Sequence, residues 1–210
     1  MKLVLLHGLG QTVASWDDTI ANLPDNWHID TPNLFQNEGF LTYEQLYDAF
    51  VQECDKYSEP FHLCGVSLGA IIACQYAIEY PTKVKSLIVI GVQLKPSTYL
   101  LKLQQLIFNM LPKSYFKKHG LNKQQLLLLS KSMHNLNLKP HIQKIHCPAI
   151  AICGKKDRFN QKATKEFAQL VPQAQYVLIE HAGHEVNMEK PVELSGVIEQ
   201  FLIEKVKDNN

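Results

Sequence analysis

Apolar and polar positions alternate along this 210-residue chain in two different ways. Short, mostly apolar runs stand at 2–6, 27–30, 61–64, 84–90, 148–153 and 175–179. Each has the length of a strand, and the fullest of them are apolar at successive positions, as strands covered on both faces are. Between the runs lie helix signals. One helix is predicted up to Leu23, one from an N-cap at Thr42 to about Lys56, and one beginning near Ala70. Two more are predicted over 162–170 and from Pro191 to Lys205. Strands separated by helices predict an α/β fold: three layers, α/β/α, around a mostly parallel sheet of about six strands. Ligands in such folds bind at the carboxyl ends of the strands.

One segment breaks the alternation. From about 92 to 144 the pattern is helical only, with Tyr99, Leu100, Leu103, Leu106, Ile107 and Met110 striping one helix face. A second helix is predicted from Asn122 to Met133, through four consecutive leucines. The segment is too long for a simple connection, so it is read as a helical cap inserted into a single domain spanning 1–210.

Charge sharpens the picture of that segment. Nine of the chain's 21 basic residues fall between Val92 and Lys144, and no aspartate or glutamate does. The other 12 basic residues face all 20 acids, so a segment of +9 sits on a remainder of −8. Such asymmetry bears on partners rather than on fold. Lysines beside an apolar stripe suit a substrate with an acyl group and an anionic group, or weak contact with an anionic membrane surface. No nucleic-acid partner is expected.

Composition adds bounds. A 46% hydrophobic and 20% charged chain is that of a soluble globular protein. No apolar run approaches the roughly 18 residues needed to cross a bilayer, and the apolar start Leu3–Leu6 is too short for a signal peptide's core. The five cysteines are odd in number and never spaced C-x-x-C, which points to reduced core residues and a cytoplasmic setting.

The chemistry concentrates at strand ends. Gly65-Val66-Ser67-Leu68-Gly69 stands between an apolar strand and a helix of small residues. There a sharp turn pushes a serine hydroxyl out above the sheet, and glycines let strand and helix approach. A serine is a poor nucleophile unless a base takes its proton and an acid orients that base. Asp157 follows the strand at 148–153, and His184 follows the strand at 175–179. Ser67, Asp157 and His184 therefore form a candidate triad in the order Ser…Asp…His. A tetrahedral intermediate also needs two backbone N–H donors. The amide of Leu68 and that of Leu9, in His7-Gly8-Leu9-Gly10, are the candidates. His181 and His184 lack the carboxylate or cysteine cluster of a metal site, so no metal or cofactor is expected.

These landmarks, with Gly154-Lys155-Lys156-Asp157 and Ala182-Gly183-His184, resemble those of small α/β-hydrolase-fold proteins of the esterase and lipase type. The resemblance covers nearly the whole chain. It implies that fold without its two leading antiparallel strands, since the chain starts directly at the strand before His7. It also implies a triad of Ser67, Asp157 and His184 and an oxyanion hole at Leu9 and Leu68. Asp30-Thr31-Pro32-Asn33 stands where the family often has a Gly-His-Gly turn. The expected activity is hydrolysis of a carboxylic ester or thioester through an acyl-enzyme. One alternative is a relative resembling the menaquinone-pathway synthase that eliminates pyruvate from a polyanion. Arg158 is the chain's one arginine, which disfavours recognition of several carboxylates. A second alternative is a non-catalytic binding protein on the same fold.

Overall fold

The computed structural model describes residues 1–35, 42–112, 114, 116 and 122–207. The six apolar runs form the strands β1 (Lys2–Leu6), β2 (His28–Asp30), β3 (Phe61–Val66), β4 (Val84–Ile90), β5 (Ala149–Gly154) and β6 (Ala174–Ile179). They make one sheet in the order β2-β1-β3-β4-β5-β6, every neighbouring pair parallel. Helices among the described residues include α1 (Asp17–Ile20), α2 (Tyr43–Cys54), α3 (Leu68–Glu79), α4 (Thr98–Met110), α5 (Lys123–Ser132), α6 (Arg158–Leu170), α7 (Val186–Glu189) and α8 (Pro191–Lys207). The expected N-cap is in place, with the Thr42 hydroxyl accepting from the Gln45 N–H at 3.3 Å.

Alternation along the strands splits the core into two layers. Val4, Leu6, Leu63, Leu87, Val89 and Ala151 face α2, α3 and α6 on one side. Leu3, Leu5, Cys64, Val66, Ile88 and Ile152 face Trp16 and the Leu194, Ile198 and Phe201 side of α8 on the other. Two faces both apolar explain why the strands carry continuous rather than alternating hydrophobicity. The fold is the three-layer α/β/α arrangement the pattern implies.

Registers align the carboxyl ends of the strands. Leu6 pairs with Gly65, Val66 with Ile90, Ile90 with Ile152 and Gly154 with Ile179. The loops after β1, β3, β4, β5 and β6 thus open on one edge. The chain turns outward in opposite directions from β1 and β3, and between such strands an α/β sheet leaves a crevice for ligands.

The segment between β4 and β5 contains α4, α5 and two short 3-10 turns. Its helices are where the leucine pattern put them, but the stripe on α4 does not lie inward throughout. Leu101 is buried, while Leu106, Ile107 and Met110 are exposed. Inward contacts are made by Leu126 and Leu129 of α5 instead. Lys113, Lys117 and Lys118 lie outside the described residues.

Candidate active site

A single residue, Ser67, joins β3 to α3. Its backbone has φ 54° and ψ −111°, a region that costs a residue with a Cβ on the order of 1–3 kcal/mol. Both neighbours on the sheet and helix hold it there. Ser67 N–H donates to Ile90 O at 2.8 Å, and Ser67 O accepts from Ile71 N–H at 3.1 Å. The flanking glycines are required by contact. A Cβ at Gly65 would lie 2.3 Å from the Gly69 carbonyl, and one at Gly69 would lie 2.3 Å from Leu6 O. Ser67 is half-buried, and its hydroxyl has no hydrogen-bond partner among the described residues.

His184 and Asp157 come together from the loops after β6 and β5. His184 Nδ1 lies 2.7 Å from Asp157 Oδ2, with the carboxyl nearly fully buried and the imidazole partly open. Burial pushes the Asp157 carboxyl up, but hydrogen bonds from His184 and Asn160 outweigh it and hold the group below its ordinary range. An ionised carboxylate only accepts, so His184 Nδ1 carries the proton and Nε2 keeps its lone pair. Ser67, His184 and Asp157 border one cavity of about 260 Å³, together with Leu9 and Leu68. No hydrogen bond links Ser67 to His184 here; in unliganded sites such contacts are often long and tighten with substrate.

The loop after β1 is braced from several sides. His7 is fully buried; its Nε2 accepts from Leu34 N–H at 3.1 Å, and its Nδ1 lies 3.1 Å from Gly8 O. Burial lowers its pKa, which keeps the ring neutral and Nε2 able to accept. Gln11 Oε1 accepts from Gly8 N–H at 3.0 Å, and Gln11 Nε2 donates to Asn187 Oδ1 at 3.3 Å, tying this loop to α7. The N–H of Leu9 has no acceptor among the described residues. That of Leu68 is at the first position of a helix, where no intrahelical acceptor exists. Both candidate oxyanion donors border the cavity.

Four neighbours escaped the sequence reading. Asn160, 8% exposed, donates to both oxygens of Asp157 at 2.8 Å. It was missed because α6 was expected from 162, whereas it begins at Arg158 with Asp157 as its cap. With the earlier start, Asp157 and Asn160 are one turn apart on the same face. Gln93 Nε2 donates to Asn160 Oδ1. Gly91, at φ 61°, abuts the His184 ring. Glu189 accepts from Gly183 N–H at 2.7 Å and Glu185 N–H at 3.2 Å, gripping both sides of His184. Gln93 and Gly91 make contacts between elements distant in the chain and left no local pattern, whereas Glu189 reaches N–H groups only six and four residues before it.

The rest of the cavity lining is apolar apart from Ser97, including Ile71, Leu101, Met133 and Phe159, and holds no described lysine or arginine. A larger cavity of about 400 Å³ beside β2 and α2 has a more polar lining and borders none of the candidate residues. No group of three His, Cys, Asp or Glu among the described residues is placed to hold a metal ion.

Comparison with known proteins adds family and fold. The sequence model of the alpha/beta hydrolase family matches residues 3–197. The monoacylglycerol lipase ABHD6 of Homo sapiens is 25% identical over 253 aligned residues, covering 96% of this chain and 75% of that one. A thermophilic esterase from Thermogutta terrifontis superposes with a TM-score of 0.82 at 20% identity, over 98% of this chain and 90% of the other. MenH from S. aureus superposes equally well, also at 0.82 and 20%, over 98% and 94%. At such identities the structural likenesses speak for the fold alone.

Proposed function

The chain belongs to the alpha/beta hydrolase family, and from that membership we propose that it is a serine hydrolase of carboxylic esters or thioesters. The observation that carries the reading is the 2.7 Å pair of Asp157 and His184 facing the same cavity as the strained Ser67. Ser67 Oγ attacks the carbonyl carbon as His184 Nε2 takes its proton. Asp157 remains ionised and stabilises the imidazolium. Charge on the former carbonyl oxygen is met by the N–H groups of Leu9 and Leu68, each such donor contributing on the order of 10²–10³ in rate. His184 then protonates the leaving alcohol or thiol, the acyl group stays on Ser67, and water activated by the same imidazole releases the acid.

An apolar lining with Leu101 and Met133 favours an apolar acyl group, and the helical segment 92–144 serves as the cap above it. Monoacylglycerols belong in the substrate panel because of the ABHD6 relative. The synthase alternative needs a cationic cradle for several carboxylates, and the described lining offers no lysine or arginine. Contact of the cap with an anionic membrane is supported by exposed Leu106, Ile107 and Met110 on an acid-free segment. Co-sedimentation with anionic and neutral vesicles tests it, and equal binding to both would reject it. Among the described residues no helix is long and apolar enough to cross a membrane.

The deciding experiment profiles p-nitrophenyl esters from C2 to C16 with the wild type and Ser67→Ala. The mutant is expected to lose turnover on every ester and to resist labelling by a fluorophosphonate. Turnover at the wild-type level in Ser67→Ala overturns the proposal.

A further inference from the structure

The Asp157–His184 pair does not stand alone: a directed chain of hydrogen bonds runs to it from the start of α4. Ser97, the residue before α4, has its backbone N–H 2.9 Å from Gln93 Oε1. A backbone N–H can only donate, so the Gln93 amide must present its oxygen to Ser97 and its nitrogen to the other side. That nitrogen donates to Asn160 Oδ1. Accepting there forces the Asn160 nitrogen toward Asp157, where it lies 2.8 Å from each carboxylate oxygen. Both amides could be turned over in isolation, and the Ser97 N–H fixes both. The backbone frame supports the same register, with Thr164 Oγ1, one turn beyond Asn160, donating to Val92 O at 3.4 Å.

Asn160 Nδ2 is also 3.0 Å from His184 Nδ1. Both atoms carry hydrogens aimed at the same carboxylate, so the contact is a shared acceptor rather than a bond between them. Asp157 thereby receives His184 and Asn160 together, and its plane is fixed by a neutral donor that adds no charge beside the imidazolium.

We propose that Gln93 and Asn160 are positioning residues that set the orientation and basicity of the Asp157–His184 pair, with Gln93 acting through Asn160 from the root of the cap helix. This rests on the serine-hydrolase reading of the site. The chain has two consequences. Removing a donor from Asp157 makes the carboxylate hold the His184 proton more tightly, so the imidazole becomes harder to discharge and the acid limb of activity moves to higher pH. Because Gln93 touches neither Asp157 nor His184, its effect on that pair runs through Asn160 and is lost once Asn160 is replaced.

The test is a double-mutant cycle with near-isosteric, neutral replacements, Gln93→Met and Asn160→Leu, on a short p-nitrophenyl ester, run beside Ser67→Ala. Each single variant is expected to lose on the order of 10-fold in kcat with KM little changed, since misplaced catalytic geometry acts on the reacting state. The acid limb of kcat/KM moves upward in both. The double variant is expected to be no worse than Asn160→Leu alone. Thermal unfolding of each variant separates lost positioning from lost folding. Losses that multiply in the double variant, or singles with an unmoved pH profile, overturn the relay. If Ser67→Ala keeps its activity, the hydrolase reading fails instead, and the two failures are told apart within one experiment.

Discussion

Gly91 lies against the ring of His184, and a Cβ built on it would be 3.0 Å from Cε1 and 3.1 Å from Nδ1. Its φ of 61° is also left-handed, a conformation that costs a residue with a Cβ about 1–2 kcal/mol. Gly91→Ala therefore strains the turn after β4 and pushes the imidazole off Asp157. The stability loss should stay near that 1–2 kcal/mol. The loss in kcat, by contrast, should reach about 10- to 100-fold, because sub-ångström errors act on the reacting geometry. Urea denaturation and steady-state kinetics on one preparation check both halves; a variant with full kcat would show that the ring is free to move.

Glu189 grips the same histidine from the other side, through the N–H groups of Gly183 and Glu185. Glu189→Gln keeps the shape but presents an NH₂ group to one of those N–H donors, and two donors facing each other repel. We expect kcat to fall about 10-fold with KM nearly constant, the pattern of an interaction made through the transition state. Glu189→Asp, which keeps both acceptors on a shorter stem, should recover part of the loss. Equal activity of all three proteins would deny the loop clamp.

How legible this was depends on where the signal lies. Strands β1 and β4 are written as apolar runs because both of their faces are covered, and their ends fall within a residue of the pattern. Ser67, Asp157 and His184 could be named because each follows a strand. Gly91 and Gln93 follow a strand too, yet their importance comes from His184 and Asn160, partners 93 and 67 residues away. A contact made across the sheet edge leaves no period to read. On α4 the spacing of leucines specified a helix but not its rotation, and Leu106, Ile107 and Met110 face outward although their period suits a core. Burial there is decided by what packs against the helix, which a single-helix pattern does not contain.

Glycines at two sites should respond with opposite signs. Gly69→Ala places a Cβ 2.3 Å from Leu6 O and 2.8 Å from His7 O, backbone atoms that cannot turn aside. β1 and α3 must part to admit it, at a cost of about 3 kcal/mol or more. Gly196, inside α8, is exposed, and a methyl group added to it would meet no atom within 4 Å. Gly196→Ala should stabilise by about 0.5–1 kcal/mol through helix propensity alone. Urea midpoints at constant slope check the pair, and a destabilised Gly196→Ala would contradict the open space.

Stability should fall below neutral pH, in part for a reason that lies at the opposite end of the sheet from the candidate site. His62, at the start of β3, is buried with its Nδ1 2.7 Å from Ser86 Oγ. Burial, reinforced by Lys85 and the chain's amino terminus, pushes its pKa down to about 4. Burial lowers that of His7 as well. For such a base the folded state binds fewer protons than the unfolded chain, so unfolding takes protons up. The stability is intact above the unfolded value of about 6.5 and is lost progressively as pH falls toward 4. A shift of that size is worth about 3 kcal/mol for His62 alone, an upper figure reached at the acid end. Asp30 and Asp157, whose folded values are depressed, lose their contributions only as pH falls below about 3.8, outside this window. Urea unfolding at several pH values between 7 and 4.5 should show the decline, and His62→Gln, which cannot take up a proton, should flatten part of it. An unchanged slope in His62→Gln would assign the acid sensitivity to other groups.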